Sequence, residues 1–170
     1  MLACGYFFHN SLEFGNESAN MERFDIVELI RNYLKSAAML ARQKEVTVKF
    51  DDYSPIFVWG DEFRIEEVLR NYFSNALNHI EGERIIEIKL TMMENVVRIS
   101  VFNTGKPIPE DSIEHIWEKF YKVDKARTRE YGGSGIGLSI VKAIMDSMGQ
   151  KYGVINYDNG VEFYFELETK

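Results

Sequence analysis

The segment 131–145, YGGSGIGLSIVKAIM, constrains this chain more than any other. In it Gly132, Gly133, Gly135 and Gly137 stand directly before a run whose apolar residues Leu138, Ile140, Val141, Ile144 and Met145 recur at helical spacing. A glycine-rich loop therefore runs into a helix N-terminus. Without Cβ atoms such a loop lets backbone N–H groups approach an oxyanion, and the positive end of the helix dipole favours negative charge there. The same glycines would also serve as a plain hinge. Two familiar nucleotide loops do not fit. Lys142 lies inside the helix rather than in a terminal Gly-Lys-Ser/Thr, and the preceding KVDKARTRE is too charged for the strand that a dinucleotide fingerprint needs.

The remaining chain supplies a sheet and two more helices. Asp25 is placed to N-cap a helix reaching about Gln43, with Ile26, Leu29, Ile30, Tyr33, Leu34, Ala37 and Leu40 on one face and Glu28 completing a capping-box pattern. Residues 46–50 (VTVKF) and 56–59 (IFVW) read as short strands. A second helix opens at Gly60-Asp61 and runs to about Asn78, with Ile65, Val68, Leu69, Tyr72, Phe73, Ala76 and Leu77 facing the core. On its flank Asn71, Asn75 and Asn78 form a stripe, unusual because asparagine is a poor helix former, although a solvated face would look the same.

Residues 84–103 have the pattern of a hairpin turning at Glu94-Asn95. Gly105, Pro107 and Pro109 end the second strand, and Ser112-Ile113 begin a short helix, IEHIWEKF. Residues 121–133, poor in apolar side chains, read as a mobile loop, and the glycine-led helix then runs to about Met148. GVINY and VEFYFEL flank Asp158-Asn159-Gly160 as a last hairpin. Hairpins separated by helices predict an α+β fold, a mixed, mostly antiparallel sheet with helices layered on one face.

With 45% hydrophobic and 14% aromatic residues among 170, there is material for one core. A net charge of −7 argues against nonspecific binding to nucleic acid or an anionic membrane, although 119–129 is locally basic. The single cysteine, Cys4, excludes an internal disulfide framework and favours a reducing, cytosolic setting. No apolar run approaches the ~18 residues of a membrane span, and the opening MLACGYFFHN is too short and uncharged for a signal peptide.

Four segments in order, NYFSNALNHI (71–80), FNTGKPIP (102–109), WEKFYK (117–122) and GGSGIGLSIVKAI (132–144), resemble the N, G1, F and G2 boxes of sensor histidine kinases. The resemblance covers roughly 24–167, and the string from Phe120 to Met145 with FNTG looks most like Gram-positive kinases of the vancomycin-resistance sensor type. It implies the two-layer α/β sandwich of the GHKL ATPases, three helices on a mixed sheet, binding ATP and Mg²⁺. Residues 1–20 would then be the remnant of a dimerisation helix and a linker, and 21–170 the catalytic, ATP-binding domain.

The resemblance also assigns residues. Asn75 would bind magnesium, Asn71 would lie beside the metal and its waters, and His79 would reach a phosphate or simply be a satisfied helix-end histidine. Asn103 stands where the family usually has the aspartate that accepts from the adenine amino group, so a charge-assisted bond worth ~1.5–3 kcal/mol becomes a neutral one of ~1 kcal/mol. Gly105 matches the family, Pro107 replaces its second glycine, and Asn78 stands where a lysine is frequent. Ile108, Phe120, Tyr121, Gly133, Ser134, Gly135, Ile136, Gly137 and Leu138 would complete the nucleotide site.

Lys122 would approach the γ-phosphate, or be one more solvated charge, and Glu67 would polarise the acceptor. The implied reaction is in-line transfer of the γ-phosphoryl of ATP to a histidine on the parent's own dimerisation domain, with a response regulator downstream. No nucleic acid or membrane contact is implied for this fragment, which would be cytoplasmic, with its parent anchored in a bacterial membrane. A self-contained ATPase of the same fold, or an interaction domain that has lost its nucleotide, are the competing readings.

Overall fold

A computed structural model describes residues 18–123 and 135–170. The expected dimerisation-helix remnant thus lies almost wholly outside the described residues, as do Gly132, Gly133, Ser134 and the expected loop from 124 on. Among the described residues the elements are β1 (Glu22–Asp25), α1 (Ile26–Gln43), β2 (Thr47–Phe50), β3 (Phe57–Gly60), α2 (Glu62–His79), β4 (Ile85–Met92), β5 (Val96–Thr104), α3 (Gly137–Ser147), β6 (Tyr152–Tyr157) and β7 (Gly160–Glu168). The strands form one seven-stranded sheet in the order β1-β3-β7-β5-β4-β2, with β6 also paired to β7. β2 and β4 run parallel and the other pairs are antiparallel, so the mixed, mostly antiparallel sheet under three helices is as expected.

Alternation builds the core. Val97, Ile99 and Val101 of β5 and Val161, Phe163, Phe165 and Leu167 of β7 point to the helix-covered face. They meet Ile65, Val68, Leu69, Tyr72, Phe73, Ala76 and Leu77, a stripe at i, i+3, i+4, i+7 spacing along α2, together with Val141, Ile144 and Met145 of α3. Asp61 caps α2 by accepting from the Arg64 N–H (3.2 Å) and also pairs with the buried Arg64 guanidinium. That guanidinium reaches Ser147 Oγ at the far end of α3 (3.2 Å), so the start of α2 is tied to the end of α3.

Four expectations are corrected. Asp25 caps α1 through Val27 N (3.0 Å), one residue short of the Glu28 position that a capping box uses, and it also accepts from Ile56 N (3.2 Å). β1 was not foreseen, because ERFD offers a single inward apolar residue, Phe24, opposite Val58. β2 and β3 do not form a hairpin. They sit toward opposite edges of the sheet, and the connector between them is held by Arg31, which donates to Asp52 (2.7 Å) and to the Tyr53 carbonyl (2.8 Å).

The expected helix over IEHIWEKF is instead a 3₁₀ turn at Glu110–Ser112 followed by turns. There His115 N and Glu118 N bond three residues back, and Ile116 and Trp117 turn inward, Trp117 edge-on to Tyr152 (4.9 Å) and Phe163 (5.9 Å). The last hairpin turns at Asp158-Asn159, one position earlier than Asn-Gly suggests. Gly160 serves close packing instead, since a Cβ there would lie 2.1 Å from the Asn103 carbonyl.

Candidate functional site

One flank of α2 runs between the two groups of residues singled out by sequence. Asn71 donates from Nδ2 to the Glu67 carbonyl one turn back (2.9 Å), which leaves its Oδ1 toward the start of α3. A Cβ on Gly137 would stand 2.9 Å from that oxygen, so a residue larger than glycine would turn the Asn71 amide away from the start of α3. α3 is also the one helix of the three described that lacks a side-chain cap. Asp25 and Asp61 cap the others, whereas Ile136 occupies this N-cap position. Its first-turn N–H groups therefore keep their capacity to bind an anion, in the field of the helix dipole.

Gly135 adopts φ +74°, a conformation that costs other residues about 1–2 kcal/mol. Its carbonyl accepts from Phe120 N (2.8 Å), and a Cβ on it would lie 3.0 Å from Phe120 Cα and 3.4 Å from Lys122 Cε. Phe120 itself sits at φ 65°, strain that this bond helps to hold. Tyr121 is anchored by its hydroxyl to Ser112 Oγ (2.9 Å) and lies against the His115 ring (5.4 Å). A hydrogen bond to Glu118 raises the His115 imidazole above its usual pKa. Asn71, Gly135, Gly137, Phe120 and Lys122 thus come together at one end of the site.

The other end lies about two helical turns along α2, on the order of 12 Å away. Asn103 continues the inward row of Val97, Ile99 and Val101, so an amide only 2% exposed stands where periodicity calls for an apolar side chain. Its Nδ2 donates to the Thr104 carbonyl (3.1 Å), which presents Oδ1 as an acceptor. Gly105 passes under the end of α2, where a Cβ would sit 2.7 Å from the His79 carbonyl and 3.3 Å from Asn103 Nδ2. Asn75 lies between the two ends, half-buried, and its side chain makes no hydrogen bond among the described residues.

Glu67 lies one turn before Asn71 on the same flank of α2, half-buried, and its carboxylate pairs with Arg70 Nη1 (2.9 Å). Ile108 and Leu138 pack against the core at the margins of the site. A groove of about 550 Å³ between α1 and β2, lined by Leu34, Ala37, Val46, Val48 and Phe50, contains none of the site residues. Sequence reasoning missed Asn156 and Asn159, whose bonds to Ile108 and Gly105 buttress the site from β6 and its turn. Nothing local in a hairpin sequence distinguishes such residues.

No group of three His, Cys, Asp or Glu able to hold a metal occurs among the described residues. The donor set suits a hard cation that takes most of its oxygens from a phosphate ligand and waters, with amide oxygens of Asn75 and Asn71 beside it. The buried acceptor of Asn103, the uncapped helix and a lysine across from it fit an elongated ligand with a hydrogen-bond donor at one end and negative charge at the other.

Residues 60–170 match the family model described as histidine kinase-, DNA gyrase B- and HSP90-like ATPase. Sensor protein VanS of Enterococcus faecium is 38% identical over 110 residues, which is 65% of this chain and 28% of that protein. The catalytic domain of histidine kinase ThkA superposes with a TM-score of 0.77 at 34% identity, covering 88% of this chain and 96% of that one. ThkA has also been solved in complex with the response regulator protein TrrA (TM-score 0.72, 31% identity, 88% of this chain and 42% of that one). Full-length ShkA in complex with AMPPNP matches with a TM-score of 0.79 at 26% identity, over 95% of this chain and 35% of that one. The chain spans about 10% to 32% of the length of the curated relatives it matches.

Proposed function

Since the chain belongs to the histidine kinase-, DNA gyrase B- and HSP90-like ATPase family, as a catalytic domain of the sensor histidine kinase kind, we propose that it binds Mg·ATP and phosphorylates a histidine on the dimerisation domain of a larger kinase. A response regulator would then receive the phosphoryl group, and the parent would be anchored in a bacterial membrane. No described helix of this chain is long and apolar enough to cross one. The observation that carries the proposal is the uncapped, glycine-led start of α3 set against Asn71.

Bound with Mg²⁺, ATP supplies the γ-phosphoryl group that passes to an imidazole nitrogen. Asn103 Oδ1 accepts from the exocyclic amine of adenine, a donor that guanine lacks at the same ring position. Asn75, with Asn71 beside it, gives amide oxygens to the metal and its waters. The N–H groups opening α3 and Lys122 balance phosphate charge, with Gly135, Ile136 and Leu138 beside them, and His79, about two turns along α2 from Asn71, would reach the phosphate nearest the base. Ile108, Phe120 and Tyr121 line the pocket. An imidazole acceptor needs no strong base, and Glu67 would at most orient it.

The test is transfer in trans. Incubated alone with γ-labelled ATP, this chain should acquire no acid-labile label on His9, His79 or His115, because none follows the family's placement on a long helix before the first box. Adding a separate helical dimerisation domain from its parent should give labelled phosphohistidine on that partner, slowly for lack of a tether. Rapid multiple-turnover hydrolysis without the partner would support the ATPase reading instead.

A further inference from the structure

We infer that Asn156 is a positioning residue that sets the base-binding side of the site by clamping Ile108. The inference rests on the nucleotide reading above. Past the end of β5 the chain runs through Gly105, Lys106, Pro107, Ile108 and Pro109 without regular structure. Two prolines leave Ile108 as the one residue of 107–109 with a backbone donor. Both of its polar groups are taken by a single side chain: Ile108 N–H donates to Asn156 Oδ1 (2.9 Å), and Asn156 Nδ2 donates to the Ile108 carbonyl (2.7 Å). The carboxamide thus does what a neighbouring strand would do for one residue. The next restraint upstream is Gly105 N–H to the Asn159 carbonyl (3.0 Å), from the turn that follows Asn156.

Register explains why this clamp bears on the base. Val161 of β7 pairs with Asn103 on one side and with Asn156 on the other, so the two asparagines and Val161 form one row across three strands. Their side chains share the helix-covered face, about two strand spacings or ~10 Å apart. The acceptor proposed for adenine and the amide that holds Ile108 are therefore referred to the same rigid row. Ile108, packed partly against the core, is fixed relative to Asn103 by that geometry. Asn156 is half-buried and lies outside every loop the sequence marks as functional.

Nucleotide titration of the full chain with Mg²⁺, alongside thermal unfolding, tests this. Asn156→Ala should weaken ATP on the order of tenfold, the scale of two lost neutral hydrogen bonds that position a contact rather than make it. It should also narrow the preference for ATP over GTP, while shifting the unfolding midpoint by only a few degrees. Asn156→Asp keeps the acceptor but opposes a carboxylate to the Ile108 carbonyl, so it should fare no better. Asn156→Gln, which retains both groups on a longer arm, should recover part of the affinity. A folded Asn156→Ala chain that binds ATP within twofold of wild type, or that weakens ATP and GTP equally, would overturn the inference while leaving the nucleotide reading intact. Wild-type protein that binds no ATP would overturn both.

Discussion

At the scale of single residues, the informative positions are polar groups set where a core or a cap would call for something else. Asn103 is the plainest case, an amide at an inward position of β5 whose NH₂ is committed to Thr104 and whose oxygen is left as an acceptor. Asn103→Asp should therefore preserve or tighten adenine-nucleotide binding by restoring a charged acceptor, while Asn103→Ala should weaken it several-fold. Equal ATP affinity for all three proteins by calorimetry would remove Asn103 from the base contact. The Asn75 side chain makes no hydrogen bond among the described residues, and an amide left available between the two ends of the site fits a metal ligand. Asn75→Ala should abolish most ATP affinity in Mg²⁺, and should change little in EDTA, where wild type is already weak.

At the scale of elements, the meeting of α2 and α3 is set by which positions lack a Cβ. Gly137 has no left-handed φ, so alanine there suits the helix and by propensity alone would stabilise it by up to about 1 kcal/mol. Its Cβ would nonetheless stand 2.9 Å from Asn71 Oδ1 and turn that amide away from the helix start. Gly137→Ala should then keep or raise the unfolding midpoint while ATP affinity falls several-fold. Gly135→Ala should lose both, because φ +74° strains any L-residue and the added carbon meets the Phe120 backbone at 3.0 Å. Should Gly137→Ala bind ATP as wild type does, the contact with Asn71 is packing alone.

At the scale of the molecule, two tyrosines make stability depend on alkaline pH. Tyr72 is 0% exposed, its hydroxyl donates to the Tyr164 carbonyl (2.9 Å), and burial pushes its pKa well above the ordinary 10.0. Burial likewise pushes the Tyr33 phenol up to about 12. Both phenols release a proton more readily when unfolded, so their contribution is whole below about pH 10 and is lost as pH rises toward the folded values. Urea midpoints should fall between pH 8 and roughly 11. Tyr72→Phe should be less stable at pH 8 by about 1 kcal/mol for the lost hydrogen bond, yet decline less steeply with pH. An equally steep decline in that variant would assign the alkaline loss to other groups.

Features that depend on short-range periodicity and on a few irreplaceable residues are legible along the chain alone. The three helices followed from apolar spacing of three and four, the Glu94-Asn95 hairpin from period-two alternation, and the family from four motifs in order. Tertiary structure alone decided the pairing of β2 with β4 in parallel and the removal of β3 to the other side of the sheet, since strand partners are chosen by packing across the chain. It also decided that IEHIWEKF would form successive turns rather than a regular helix, with Trp117 set against Tyr152 and Phe163. The same holds for Gly160, which reads as a turn residue in sequence and is required by contact with Asn103, a residue of another strand. Asn156 belongs with these: a hydrogen bond spanning 48 positions leaves no local trace, because the groups that satisfy it come together only when β6, β7 and β5 share one row.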